Sequence, residues 1–149
     1  MIIKQIADIR AKNRRNPTML PFAMQIEGAQ DLADLSAYVL TLPMNPKNPQ
    51  GPGTDLERGK QLFLDNCVRC HGSIGEGSLK DSFPLIGGQT YNYIVRQLKE
   101  IRDGQRFNAN PDMVKQVNAF TDRDFLAVAD YVSRLRTPNH ERNLEKLKK

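Results

Sequence analysis

The chain has no run of residues approaching the roughly 20 consecutive apolar positions needed to cross a bilayer. Its opening, Met1 to Ile9, is broken by Lys4 and Asp8 before a secretory apolar core can form, so neither a membrane span nor an export signal is expected in the sequence as given. With 149 residues, 39% hydrophobic and 26% charged, it is too short for a multidomain enzyme and fits one soluble domain, or a small domain with an extension. The interior also lacks a surplus of one charge. A net charge of +5 and a pI near 9.4 suggest a nucleic-acid binder, but residues 1–18 carry five basic and one acidic side chain and 138–149 carry four and two. The residues between balance at 13 basic against 14 acidic, so the basic surplus belongs to the two ends and does not point to a basic binding groove. Cysteine and histidine are scarce. Cys67, Cys70, His71 and His140 are all there are, and three of them fall within five positions.

No alternating segment is long enough for a strand, whereas helical periodicity recurs. Thr54-Asp55-Leu56-Glu57 reads as a capping box opening a short helix to about Asn66, with Leu56, Gly59 and Phe63 on one face. Residues 72–90, rich in Gly, Ser and Pro, read as a loop. Tyr91, Ile94, Leu98 and Ile101 then mark a helix that Gly104 ends. A second loop covers Gln105 to about Pro111, and Met113 is read as part of an extended, Asn- and Pro-containing connection. The last helix is capped by Thr121 with Asp124, carries Phe125, Val128, Val132 and Leu135 on one stripe, and stops at Pro138.

Residues 43–53 contain four prolines and two glycines and read as a stiff linker between unequal pieces. An internal repeat relates those pieces: Gln5, Arg14, Asn16, Met19, Asp31, Tyr38 and Val39 match Gln97, Arg106, Asn108, Met113, Asp124, Tyr131 and Val132. The expected organisation is therefore 1–42, a helical remnant resembling the second half of the following domain; 43–53, a linker; 54–137, the main domain; and 138–149, a charged tail. Leu32, Leu35, Val39 and Leu42 form a stripe without its natural cover, expected to pack on the main domain or to pair two chains.

Cys67-Val68-Arg69-Cys70-His71 has the CxxCH form of a c-type haem attachment site. Two thiols one helical turn apart reach both vinyl groups of one porphyrin, and the adjoining histidine directs a nitrogen at the iron. A thiol redox pair lacks a surrounding βαβ pattern. Structural zinc would need remote His140 as a fourth ligand, and a chance pair of buried thiols leaves His71 unexplained. A thioether raises the potential of an electron-carrying haem, and Met113, 42 residues after His71, is the candidate. Core filling is its other reading. Met1, Met19, Met24 and Met44 are poorer candidates, although Met19 is the repeat equivalent of Met113, and His140 reads as a solvated tail residue.

Residues 54–137 resemble a class I c-type cytochrome, most closely one domain of the two-haem cytochrome c4 type. The likeness rests on Cys67 to His71, Phe83-Pro84-Leu85-Ile86-Gly87-Gly88-Gln89, Tyr91 to Leu98, Gly104-Gln105-Arg106, Met113 and Leu126 to Val132. It implies an all-α class I cytochrome c fold around one covalent haem c, with the first helix crossing the last so that Gly59 and Phe63 meet Tyr131. It also implies that the Pro84 carbonyl accepts a hydrogen bond from His71, as partners of metal ligands do. Tyr91, Arg96 and Arg106 become candidates for the haem propionates, and Leu85, Ile86, Leu98 and Val117 for apolar haem walls. A complete two-haem relative would carry a first CxxCH ahead of Gln5, so residues 1–42 are read as a truncated first domain.

The expected function is one-electron transfer with His71 and Met113 as axial ligands, by a carrier and not a catalyst. Partners would be larger redox proteins meeting it through small transient interfaces. Covalent haem attachment in this family implies the periplasm. The alternatives are a haem-bearing subunit of a larger oxidoreductase and a ligand sensor with an open iron site.

Overall fold

In the computed structural model, which describes residues 2–42 and 48–138, two helices cross at the centre of the main unit: α4 (Leu56–Asn66) and α8 (Asp122–Arg134). Gly59 makes the crossing possible, because a Cβ there would collide with the backbone carbonyl of Ala127 and press on Tyr131. One turn on, the Phe63 ring packs against Tyr131 with centroids 5.6 Å apart, the meeting that the family resemblance implies. Phe63, Leu98, Ile101, Val117, Phe125, Val128 and Val132 form the buried core, each burial contributing about 1.5–3 kcal/mol relative to exposure.

The chain before the crossing comprises α1 (Ile2–Arg10), α2 (Leu20–Met24) and α3 (Ala29–Thr41). After α4 come α5 (Val68–His71), α6 (Tyr91–Arg102) and α7 (Pro111–Asn118). The architecture is all-helical; among the described residues the one extended pairing is a bridge between Ser78 and Phe83. The expected cap of α8 is present: the Thr121 hydroxyl accepts from the Asp124 amide at 3.2 Å while Asp124 accepts from the Thr121 amide at 2.8 Å. Gly104 follows the end of α6 at φ +66°, a conformation glycine adopts without strain.

Two local expectations are corrected. Thr54 does not cap α4. The cap position is Asp55, whose carboxylate instead takes Arg123 Nε of α8 at 2.9 Å, so a cross-helix ion pair replaces the capping box. Met113 is not on an extended segment: Pro111 starts α7 and the Asn110 side chain accepts from the Asp112 amide at 2.8 Å, which places Met113 in the first helical turn.

Of the proline-rich stretch, residues 48–53 lie against α8. Asn48 donates to the Ser133 carbonyl at 2.9 Å, the Gly53 amide donates to Asp130, and Arg134 donates to the Gly51 carbonyl at 2.7 Å. The N-terminal helices form their own cluster around Ile9 and Ala23 and dock on the main unit. They do so by an unexpected face. Asp8, Asn13 and Arg14 make the junction, with the Asn108 amide donating to the Asn13 carbonyl at 3.1 Å and Asn108 Nδ2 to Asp8 at 2.6 Å. The α3 stripe takes no part: Leu35, Val39 and Leu42 are 38%, 37% and 46% exposed, so packing on the main unit does not run through it.

Candidate functional site

Cys67 closes α4 and opens α5, its amide bonded to the Phe63 carbonyl at 2.9 Å. The carbonyl of Cys67 accepts from the amides of Cys70 at 3.2 Å and His71 at 2.9 Å, so both cysteines and the histidine lie on a single helical turn. Gly72, at φ +80°, then reverses the chain, and the Gly77 amide donates to the His71 carbonyl at 2.7 Å. A Cβ on Gly77 would press into the backbone of Phe83, Pro84 and Leu85. The bare glycine thus lets this loop close onto the segment carrying Pro84, which is braced by paired Ser78 and Phe83 backbones at 3.0 and 2.8 Å.

That bracing places the Pro84 carbonyl oxygen 2.9 Å from His71 Nδ1. A carbonyl only accepts, so Nδ1 carries the proton and Nε2 keeps the lone pair with which imidazole binds a metal. His71 is buried. Burial pushes its pKa below the ordinary histidine value, with the Pro84 bond opposing, so the neutral ligating form prevails near pH 7. Burial, reinforced by neighbouring Cys70, pushes the Cys67 thiol up to about 12. A thiol redox pair needs the opposite shift.

Met113 packs against the same apolar core as Cys67, Val68, Ile86 and Ile94. Of the residues expected to wall a haem, Leu98 and Val117 are buried in that core and Ile86 packs on it, while Leu85 lies outside it, partly buried. Tyr91 stands apart from the two arginines. It opens α6, donates its amide to the Pro49 carbonyl at 3.0 Å and lines a cleft with Pro52, Thr54 and Asp130. Arg96 is exposed, 3.6 Å from Glu100 and over the Tyr93 ring. Arg106 donates to Gln97 Oε1 at 2.9 Å and Asn108 Oδ1 at 3.1 Å. Met19 is 41% exposed on the N-terminal unit, and Met1, Met44 and His140 lie outside the described residues. Sequence reasoning missed Arg14, Tyr93 and Gln97, which join Arg106. The signal available was the repeat, in which Arg14 is the counterpart of Arg106.

Two free sulfurs on one turn, a neutral imidazole with an oriented ring, and a thioether on the same core make a donor set that fits a covalent haem. Comparison with known proteins agrees. The cytochrome c family profile matches residues 56–136. A cytochrome c4 of Pseudomonas aeruginosa is 30% identical over 142 residues, covering 90% of this chain and 70% of the relative. A thiosulfate dehydrogenase electron acceptor of Stutzerimonas stutzeri is 32% identical over 141 residues, covering 86% of this chain and 63% of the relative. Among solved structures, reduced cytochrome c4 from Pseudomonas stutzeri matches with a TM-score of 0.78 at 26% identity, covering 91% of this chain and 80% of that one. A thiosulfate dehydrogenase from Marichromatium purpuratum matches with a TM-score of 0.75 at 29% identity, covering 89% of this chain and 30% of that one.

Proposed function

Because the chain belongs to the cytochrome c family, whose covalent haem c is its cofactor, we propose that it is a one-electron carrier with His71 and Met113 as axial ligands. Cys67 and Cys70 hold the haem through thioether bonds. When bound, the haem supplies an iron that passes between ferrous and ferric states by losing or gaining one electron. The observation that carries this reading is the 2.9 Å contact between His71 Nδ1 and the Pro84 carbonyl. It fixes the tautomer and the ring, and a hydrogen-bonded imidazole is a more basic ligand. Leu98, Val117 and Phe63 exclude water, which limits reorganisation when charge changes. With His71 and Met113 both holding the iron, no position on it would be left for a substrate.

Residues 54–137 constitute the haem unit, and residues 1–42 a helical unit related to its second half. Partners are redox proteins met transiently in the periplasm. The near-neutral body does not select for a strongly charged partner face. A second reading, a haem-bearing part of a larger oxidoreductase, is favoured by the likeness to a thiosulfate dehydrogenase chain of which this one spans only 30%.

The visible spectrum of the oxidised, haem-loaded protein tests the carrier reading. A weak sulfur-to-iron charge-transfer band is expected. Its absence, together with ready binding of carbon monoxide by the reduced form, would replace the carrier with an open-site haem protein.

A further inference from the structure

Pro84 has no amide proton, so its carbonyl, the partner of His71 Nδ1, is placed by what holds the residues on either side of it. Downstream, the amides of Ile86 and Gly87 donate to the Gly75 carbonyl at 2.8 and 2.9 Å, a clasp of main chain alone. Upstream, Phe83 pairs with Ser78 in both directions and closes a turn over residues 79–82. This second clasp carries a side-chain lock. Ser78 Oγ donates to Asp81 Oδ2 at 2.7 Å and accepts from the Asp81 amide at 3.2 Å.

The lock has work to do. Leu79, Lys80, Asp81 and Ser82 are all exposed, Leu79 by 85%, so apolar burial does not close the turn. Ser82 stands at φ +60°, a backbone conformation that is unfavourable for a residue with a side chain. Hydrogen bonds must offset that strain, and the Ser78–Asp81 pair supplies two of them. The turn also bears on His71 from both ends. Gly77, next to Ser78, donates its amide to the His71 carbonyl at 2.7 Å, and a Cβ on it would press on the Pro84 carbonyl carbon. Main chain and ring of His71 are thus tied to the two ends of one short segment, 77–84, with the lock inside it.

We propose that Ser78 and Asp81 are positioning residues for the haem iron: by locking the 78–83 turn they hold the Pro84 carbonyl on His71 and so set how strongly His71 donates to the metal. The proposal rests on the haem-carrier reading. An imidazole whose Nδ1 proton is held by an acceptor is the more basic ligand. Stronger donation favours the oxidised iron, which carries one more positive charge. The locked turn therefore keeps the reduction potential below the value that a loosely held Pro84 would give.

The test is the reduction potential of the full-length, haem-loaded chain, read together with solvent exchange of the His71 Nδ1 proton in the reduced protein by NMR. Ser78→Ala, which changes no charge, is expected to move the potential to more positive values, to speed that exchange and to retain the sulfur-to-iron band. Ser78→Thr, which keeps the hydroxyl, is expected to stay at the wild-type potential. Asp81→Ala is expected to give a smaller positive shift that persists in molar salt, where the lost surface charge is screened. A Ser78→Ala protein with lowered stability but the wild-type potential overturns the proposal, because a purely structural contact behaves that way. A shift to more negative values also overturns it, since entry of water and not loss of donation then governs. So does a Ser78→Thr protein shifted as far as Ser78→Ala. Should Ser78→Ala not fold, an unmoved potential for Asp81→Ala in molar salt overturns it equally. Wild-type protein without covalent haem, or without the band, defeats the carrier reading instead, so the two failures are separable.

Discussion

Gly59 lies so close to the backbone carbonyl of Ala127 that a single methyl group on the glycine would collide with the oxygen. Gly59→Ala is therefore expected to force α4 and α8 apart and to cost about 1–3 kcal/mol. Denaturant unfolding of the haem-loaded protein measures this. Ala127→Gly in the same chain should give no rescue, because the obstacle is main chain; recovery would refute the stated cause.

Met113→Ala is expected to abolish the sulfur-to-iron band, lower the reduction potential and open the reduced iron to carbon monoxide. Met19→Ala, on an exposed residue of the N-terminal unit, should leave all three properties unchanged. The reverse outcome would transfer the sixth ligand to Met19.

Intact mass of the purified chain should show one covalent haem. Replacing both Cys67 and Cys70 by Ser should leave none, while either single replacement retains one thioether link. A second haem on the wild type would contradict the assignment to the single CxxCH.

Asp124 predicts part of the acid sensitivity. Burial alone would raise its carboxyl, but the Thr121 hydroxyl at 2.6 Å, the Thr121 amide and the Arg58 guanidinium outweigh burial and hold it below the usual carboxylate value. A depressed native value means that the stabilisation is complete above the unfolded value of about 3.9 and is lost as pH falls through the lower native one. Asp124→Asn should cost about 1–3 kcal/mol at pH 7 and flatten that part of the stability profile. An unchanged acid limb in urea melts across this range would count against it.

The chemistry of the main unit was legible in local sequence because it is written in adjacent residues. Cys67 to His71, the Thr121–Asp124 cap and the apolar stripes of α6 and α8 needed nothing distant to be read. What escaped depended on partners far along the chain. Thr54 and Glu57 spell a capping box, yet Asp55 takes the cap position and Arg123, 68 residues on, claims its carboxylate. Asn110 and Pro111 look like loop residues ahead of Met113, whereas together they start a helix. The apolar stripe of the N-terminal unit points to packing on the main unit or to pairing of two chains, whereas hydrogen bonds from Arg14 and Asn108 make the junction. Of the propionate candidates, named by likeness alone, Tyr91 lines the cleft beside Asp130, Arg96 is exposed beside Glu100 and Arg106 donates to Gln97.

Burial, with Cys70 alongside, pushes the Cys67 thiol up to about 12, and thiolate is the form that attacks a disulfide. The turn that seats this sulfur against the apolar core therefore keeps it protonated, the form that is a poor nucleophile in thiol exchange.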